Sequence, residues 1–227
     1  MLSEVMERGG AAFYNGGMAE RMVDELKQAG GIITMDDWTG YEVEVREPVT
    51  AMVKNFEIVG APPPSSGGAT VIAAARFLAM FEEPYAAGFE TISRHRLSEA
   101  LKHAFAMRMS LADPAFGGAV VEDVLKDMVE GEYVEGLFER YYSDEGVQGD
   151  YADYGGEKWG LGGDEEGGDG RRARGFQYLE DRGTSHLSVV DKWGNAVAIT
   201  TTINVSAPQN ACANKGGVAE LVAENAL

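Results

Sequence analysis

Several stretches of the chain carry a readable order of apolar and polar positions. Met18, Met22, Leu26 and Ala29 recur at helical spacing and Gly30-Gly31 follows as a stop, which predicts a short amphipathic helix over Met18 to Ala29. Further on, Tyr41, Val43 and Val45 alternate with Glu42, Glu44 and Arg46, and alternation resumes from Val49 to Val59 after Pro48 interrupts it. Successive strand side chains point to opposite faces, so this reads as two strands, each with one face in water.

In "APPPSSGG" three prolines hold an extended approach, and Ser65 or Ser66 can cap a helix carrying Val71, Ile72, Ala75, Leu78 and Ala79. A longer helix is predicted over Ile92 to Ala112, with Leu97, Leu101, Ala104, Phe105 and Arg108 on neighbouring turns and Asp113-Pro114 as its end. One more helical stretch is read from Val120 to Tyr142. From Asp144 to Gly170 the periodicity vanishes, leaving nine acidic residues, one lysine and ten glycines. Such a composition cannot bury enough surface to offset its ordering entropy, so it reads as a flexible acidic linker or a solvated loop.

The clearest alternation lies in "RGTSHLSVVDKWGNAVAITTTIN", Arg182 to Asn204. Three-residue hairpin loops favour a last residue in the left-handed conformation, and Gly194 of Lys192-Trp193-Gly194 supplies it. With Asp191 opposite Asn195, Thr184 falls opposite Thr202, and His186, Thr202 and Asn204 share its face. A two-residue loop would instead set Ile203 opposite Thr184.

Composition narrows the function. At 227 residues, with 44% hydrophobic, the chain can form one large domain or two small ones around a sizeable core. The 37 acidic against 19 basic residues leave a net charge of -18, which repels nucleic acid and anionic lipid. A single cysteine, Cys212, excludes an internal disulfide, and three scattered histidines without metal-binding spacing give no reason to expect a metal. No run of ~18 apolar residues offers a membrane span, and "MLSEVMERGG" has neither the basic nor the apolar part of a secretory signal.

A Gly-Thr at a strand entry is ordinarily a matter of packing, since β-branched residues suit pleated surfaces. Here a slack segment ends at Gly183, a threonine opens the strand, and the facing strand is rich in hydroxyls. That combination suits amide chemistry by an amino-terminal nucleophile: a hydroxyl needs a base, and a freed α-amine with pKa of about 7.7–8.0 supplies one from the same residue. Attack of the Thr184 hydroxyl on the Gly183 carbonyl, followed by hydrolysis of the ester, would create that amine.

The chain resembles the γ-glutamyltranspeptidases, or glutathione hydrolases, of the amino-terminal-nucleophile hydrolase superfamily. The resemblance covers most of Ala12 to Asn204 and rests on "FYNGGMAERMVDELKQAGGIITMDDWTGYEVEVREPV", "APPPSSGG", "RHRLSEALKHAFAMRMSLADP" and "TSHLSVVDKWGNAVAITTTIN". It implies an α/β (α+β) fold, part of an αββα sandwich with antiparallel sheets flanked by helices. It implies autocleavage between Gly183 and Thr184, Thr184 as nucleophile, Thr202 as the hydroxyl that activates it, and Asn204 as a holder of the γ-glutamyl α-amino group. His186 stands at the family's histidine position, where a packing role is expected. Ser65 and Ser66 belong to a loop and helix cap.

The implied reaction is γ-glutamyl transfer from glutathione or a related donor to water or to an amino-acid or peptide acceptor, with no metal or organic cofactor. The implied organisation is a large-subunit-like region over 1–143, a linker over 144–183 ending at the cleavage site, and the start of a small-subunit-like region over 184–227, the subunits staying associated after cleavage. An extracellular, periplasmic or membrane-attached location follows by the same analogy. After Asn204 the chain bears little likeness to the family, and the acidic ligand, paired serines and oxyanion glycines have no counterparts there. The first half of a large subunit, with its carboxylate-binding arginine, is not found either. The expectation is therefore a fragment, with a non-catalytic homologue acting as an interaction module, its acidic linker serving a basic partner, as the alternative.

Overall fold

A computed structural model describes residues 2–82, 91–146, 153–160, 184–202 and 222–226. The fold is mixed helix and sheet, and it divides into two units. One holds the first 45 residues and the hairpin that begins at Thr184; the other begins at Arg46 and holds the remaining helices with the first two strands. The region expected over 1–143 thus spans both.

The first unit opens with helices α1 (Leu2–Arg8), α2 (Ala11–Tyr14), α3 (Gly17–Gln28) and α4 (Met35–Thr39). Helix α3 matches the expected one and buries Met18 and Met22 with Ala12, while Leu26 is half-buried and Ala29 exposed. Trp38 closes this small core, its indole N–H donating to the Phe13 carbonyl at 3.0 Å. A capping box starts α4: the Thr34 hydroxyl accepts from the Asp37 amide at 3.2 Å, and the Asp37 carboxylate accepts from the Thr34 amide at 2.8 Å.

The expected strand Tyr41 to Arg46 does not form: these residues are irregular, and Tyr41, Val43 and Val45 are exposed. Alternation alone provides no ladder partner, and none lies beside them among the described residues. The run Val49 to Val59 is itself a hairpin, β1 (Val49–Val53) and β2 (Phe56–Gly60), turned at Lys54-Asn55 with Lys54 at φ 51°. Val49, Ala51 and Val53 face inward onto Ile72 of helix α5 (Gly67–Ala79).

Strand and helix meet backbone to backbone at one point. A Cβ on Gly68 would lie 2.5 Å from the Ala61 carbonyl oxygen, and one on Gly60 would lie 2.5 Å from the Gly68 Cα. Ser66 occupies the N-cap position without capping: its hydroxyl accepts from the Arg108 Nε at 2.7 Å. The positively charged side chain outcompetes the helix amides for that oxygen.

Helix α6 (Thr91–Arg108) follows, then α7 (Pro114–Gly117), α8 (Ala119–Glu130) and α9 (Glu132–Tyr141). Helix α6 is shorter than expected and turned differently: Leu101 and Phe105 are exposed, while Glu99, Ala100, His103, Ala104 and Met107 face the core. The reason is polar pairing inside the protein, since the Glu99 carboxylate accepts from Lys102 Nζ at 2.8 Å and from the Tyr154 hydroxyl at 2.9 Å. The single stretch Val120 to Tyr142 is two helices, broken at Gly131 with φ 100°.

The stretch read as an acidic linker contains a packed piece. Residues 153–160 include helix α10 (Gly156–Trp159), and Tyr154 and Trp159 are buried, Trp159 in the core cluster with Phe77, Met107 and Leu137. Two aromatics with partners for their polar atoms overcame an unpromising composition: Trp159 Nε1 donates to Asp127 at 2.7 Å. Strands β3 (Thr184–Val190), β4 (Ala196–Thr202) and β5 (Val222–Ala226) form a second sheet in the order β3-β4-β5.

Candidate active site

The β3–β4 hairpin owes its register to its turn. Asp191 N donates to the Asn195 carbonyl at 2.9 Å, Gly194 N to the Asp191 carbonyl at 3.1 Å, and Gly194 sits at φ 87°, as the three-residue loop predicted. The Asp191 carboxylate accepts from Asn195 Nδ2, from the Asn195 amide and from the Trp193 amide at 2.8–2.9 Å. These bonds, the Asn195 side chain first, hold it below the ordinary carboxylate range. Lys192 Nζ lies over the Trp193 ring, 4.3 Å from its centroid.

From this turn the pairing runs to Thr184 opposite Thr202, the predicted pair. Their side chains meet: Thr184 Oγ1 donates to Thr202 Oγ1 at 2.9 Å. Thr184 is exposed, so the oxygen faces a hydroxyl and solvent rather than an apolar interior. His186 stands opposite Thr200 on the same face, with Nδ1 2.7 Å from Thr200 Oγ1 and Nε2 2.9 Å from Ser188 Oγ. Hydroxyls both donate and accept, so either imidazole tautomer is satisfied. The expected packing role for His186 becomes a polar one.

Ser188 and Thr200 were missed by the sequence reading, although the period-two spelling Thr-x-His-x-Ser marks them for this face. Gly183 and Asn204 lie outside the described residues. The opposite face of the hairpin carries Leu187 over Ile199 and Val189 over Val197, each 44–60% exposed. Chemically, the site offers an accessible hydroxyl held by a second hydroxyl at the entrance of a strand, with an imidazole two residues on.

Other concavities offer less. The second unit has a cleft of about 460 Å³ between α8, α9 and α10. Its cations are matched by acids, Lys158 with Asp127 at 2.8 Å, Arg140 with Glu157 at 3.7 Å and Lys126 with Glu130 at 3.9 Å. Among the described residues, no group of three or more His, Cys, Asp and Glu comes together as a metal site requires, and no helix is long and apolar enough to cross a membrane.

The profile of the family described as gamma-glutamyltranspeptidase matches residues 1–218. The match runs past both ends of the motif-bearing stretch. "Glutathione hydrolase 2" of Arabidopsis thaliana is 38% identical over 203 residues, which is 89% of this chain and 31% of that protein. The chain spans about a third of the length of the curated relatives it matches. Among solved structures, a gamma-glutamyltranspeptidase from Pseudomonas nitroreducens complexed with L-DON superposes with a TM-score of 0.60 at 25% identity, covering 68% of this chain and 45% of that one. The Helicobacter pylori gamma-glutamyltranspeptidase gives 0.55 at 26% identity, covering 65% and 43%.

Proposed function

The chain belongs to the γ-glutamyltranspeptidase family, and from that premise we propose that Thr184 cleaves its own backbone and then serves as the nucleophile of γ-glutamyl transfer or hydrolysis, with glutathione as a donor. The observation that carries this reading is the 2.9 Å bond from Thr184 Oγ1 to Thr202 Oγ1 on an exposed strand entry. That bond fixes the nucleophile's rotamer and polarises its O–H, so less reorganisation is needed on the way to the transition state.

In the first step Thr184 Oγ1 attacks the Gly183 carbonyl carbon. The C–N bond breaks, the amide nitrogen takes a proton and becomes the Thr184 α-amine, and Gly183 is left as an ester on Oγ1. Water hydrolyses the ester to a Gly183 carboxylate and the restored hydroxyl. In turnover the free α-amine accepts the hydroxyl proton while Oγ1 attacks the γ-glutamyl amide carbon. The leaving amine departs protonated, and water or an acceptor amine resolves the γ-glutamyl ester. Asn204 is assigned to hold the donor's α-amino group. The pieces before and after the cut stay associated; the grouping of the hairpin with the first 45 residues in one unit supports this.

Intact mass of the purified chain tests the first step. Wild type yields two pieces that split between Gly183 and Thr184, and Thr184→Ala stays whole; two whole chains would reject self-cleavage and favour the non-catalytic interaction module. Once the remaining regions are supplied from a relative, Thr202→Val lowers γ-glutamyl release on the order of 10²-fold. Unchanged turnover would remove Thr202 from its role.

A further inference from the structure

Helix α6 buries a histidine that the proposed chemistry does not use. His103 is 2% exposed, stacked on Phe77 of α5 with centroids 5.2 Å apart and met edge-on by Tyr154 at 4.9 Å. Its Nδ1 accepts the backbone N–H of Gly155 at 3.3 Å, and its Nε2 has no hydrogen-bond partner among the described residues. A ring nitrogen that accepts an N–H has its lone pair directed at it, so the proton is on Nε2 and the ring is neutral. Protonation would put an N–H on Nδ1 facing the Gly155 N–H, turning an attraction into a donor–donor clash in a dry site.

We propose that His103 is an acid-operated clamp: the neutral ring docks residues 153–160 onto α6, and a proton on it releases them. The inference does not depend on the acyl-transfer reading.

The groups around the ring decide how it titrates. From α6 itself come the Glu99 carboxylate and the Lys102 ammonium, which oppose each other; from α9 comes Tyr141, and from the docked piece Tyr154. Phe77 of α5 adds no charge. Burial dominates and lowers the His103 pKa from 6.5 to about 4. The released state binds the proton more readily, so docking is at full strength above about pH 6.5. It weakens by up to about tenfold per pH unit as pH falls from there toward 4.

Other holds on the same piece must be separated from the first, among them the Glu99 carboxylate, which accepts from the Tyr154 hydroxyl at 2.9 Å. Asp127 accepts from Lys158 Nζ at 2.8 Å and from Trp159 Nε1 at 2.7 Å, and Tyr133 donates its hydroxyl to the Gly155 carbonyl at 2.8 Å. Amide hydrogen exchange on the 227-residue chain from pH 7 to 4, corrected for the intrinsic pH dependence, compares peptides covering 153–160 with peptides from α5. In wild type and Asp127→Asn, 153–160 loses protection progressively below pH 6.5 while α5 keeps it. In His103→Gln, whose amide oxygen still accepts from Gly155 but takes no proton, the profile is flat.

Joint loss from both regions, or an acid profile that survives His103→Gln, overturns the proposal. Should His103→Gln not fold, ring-nitrogen NMR of the wild type decides, with only three histidines to assign. Protonation of Nε2 alone at pH 7, with titration that tracks loss of the Gly155 amide signal, supports the clamp; a ring protonated on Nδ1, or one that titrates while Gly155 stays in place, refutes it.

Discussion

The two antiparallel hairpins, β1–β2 and β3–β4, share an alternating pattern and meet opposite surroundings. In the first, Val49, Ala51 and Val53 are buried on Ile72, and the strands are held because a helix covers them. In the second, the apolar face of Leu187, Val189, Val197 and Ile199 is exposed, and order comes from a three-residue turn, a seven-pair ladder and bonded hydroxyls. One hairpin is covered by a helix; the other, edged by β5, keeps a polar face accessible. The difference shows why chemistry suits the second: its Thr184 oxygen is aligned by neighbours on the same hairpin and still reachable from solvent.

The largest expected effect contrasts the two apolar faces. Ile72→Ala should cost about 2–5 kcal/mol in urea unfolding, because it opens a cavity under β1. Ile199→Ala, at a position 44% exposed, should change ladder amide exchange by no more than about 0.5 kcal/mol. A cost near that of Ile72 would mean the second face is covered in solution and would erase the contrast.

Next comes the contact that seats the first hairpin. Gly68→Ala should destabilise by about 1–3 kcal/mol, since its Cβ would lie 2.5 Å from the Ala61 oxygen and 2.8 Å from Val49 Cγ2. Gly67→Ala, with nothing within 4 Å of the added carbon, should be neutral or slightly stabilising. Thermal melts of the pair test whether the close backbone approach at Gly68, rather than helix propensity, sets the cost of a side chain at the start of α5.

The smallest effect belongs to the turn of the second hairpin. Asp191 has its pKa depressed by Asn195 and the turn amides, so its support is present above the ordinary carboxylate range and is lost as pH falls through the folded value. NMR titration of the Asp191 carboxylate should show a midpoint below 3.8, and the Trp193 and Asn195 amides should exchange faster in Asp191→Ala. An unshifted midpoint would leave the register to the ladder alone.

The candidate site was legible because it is local. A loop of Lys192-Trp193-Gly194 fixes the count, so Thr184 meets Thr202 without information from elsewhere in the chain. Ser188 and Thr200 were equally readable and went unread. The helical unit was less legible at α6, where the sequence placed Leu101 and Phe105 on neighbouring turns without deciding which face is covered, and the structure leaves both exposed. The competing face won because Glu99 found Lys102 and Tyr154, and His103 found Gly155, partners up to 55 residues away.

By itself the sequence determined the elements whose causes lie within a few residues: the α3 periodicity, the β3–β4 register and its facing threonines. It also carried the family, through motifs along most of its length. Tertiary structure alone decided which faces were covered, that Ser66 would accept from Arg108 rather than cap α5, and that Tyr154 and Trp159 would anchor a glycine-rich acidic stretch. The physical reason is range: turn geometry and strand alternation act between near neighbours, whereas burial of a polar group is favourable only when a distant partner satisfies it.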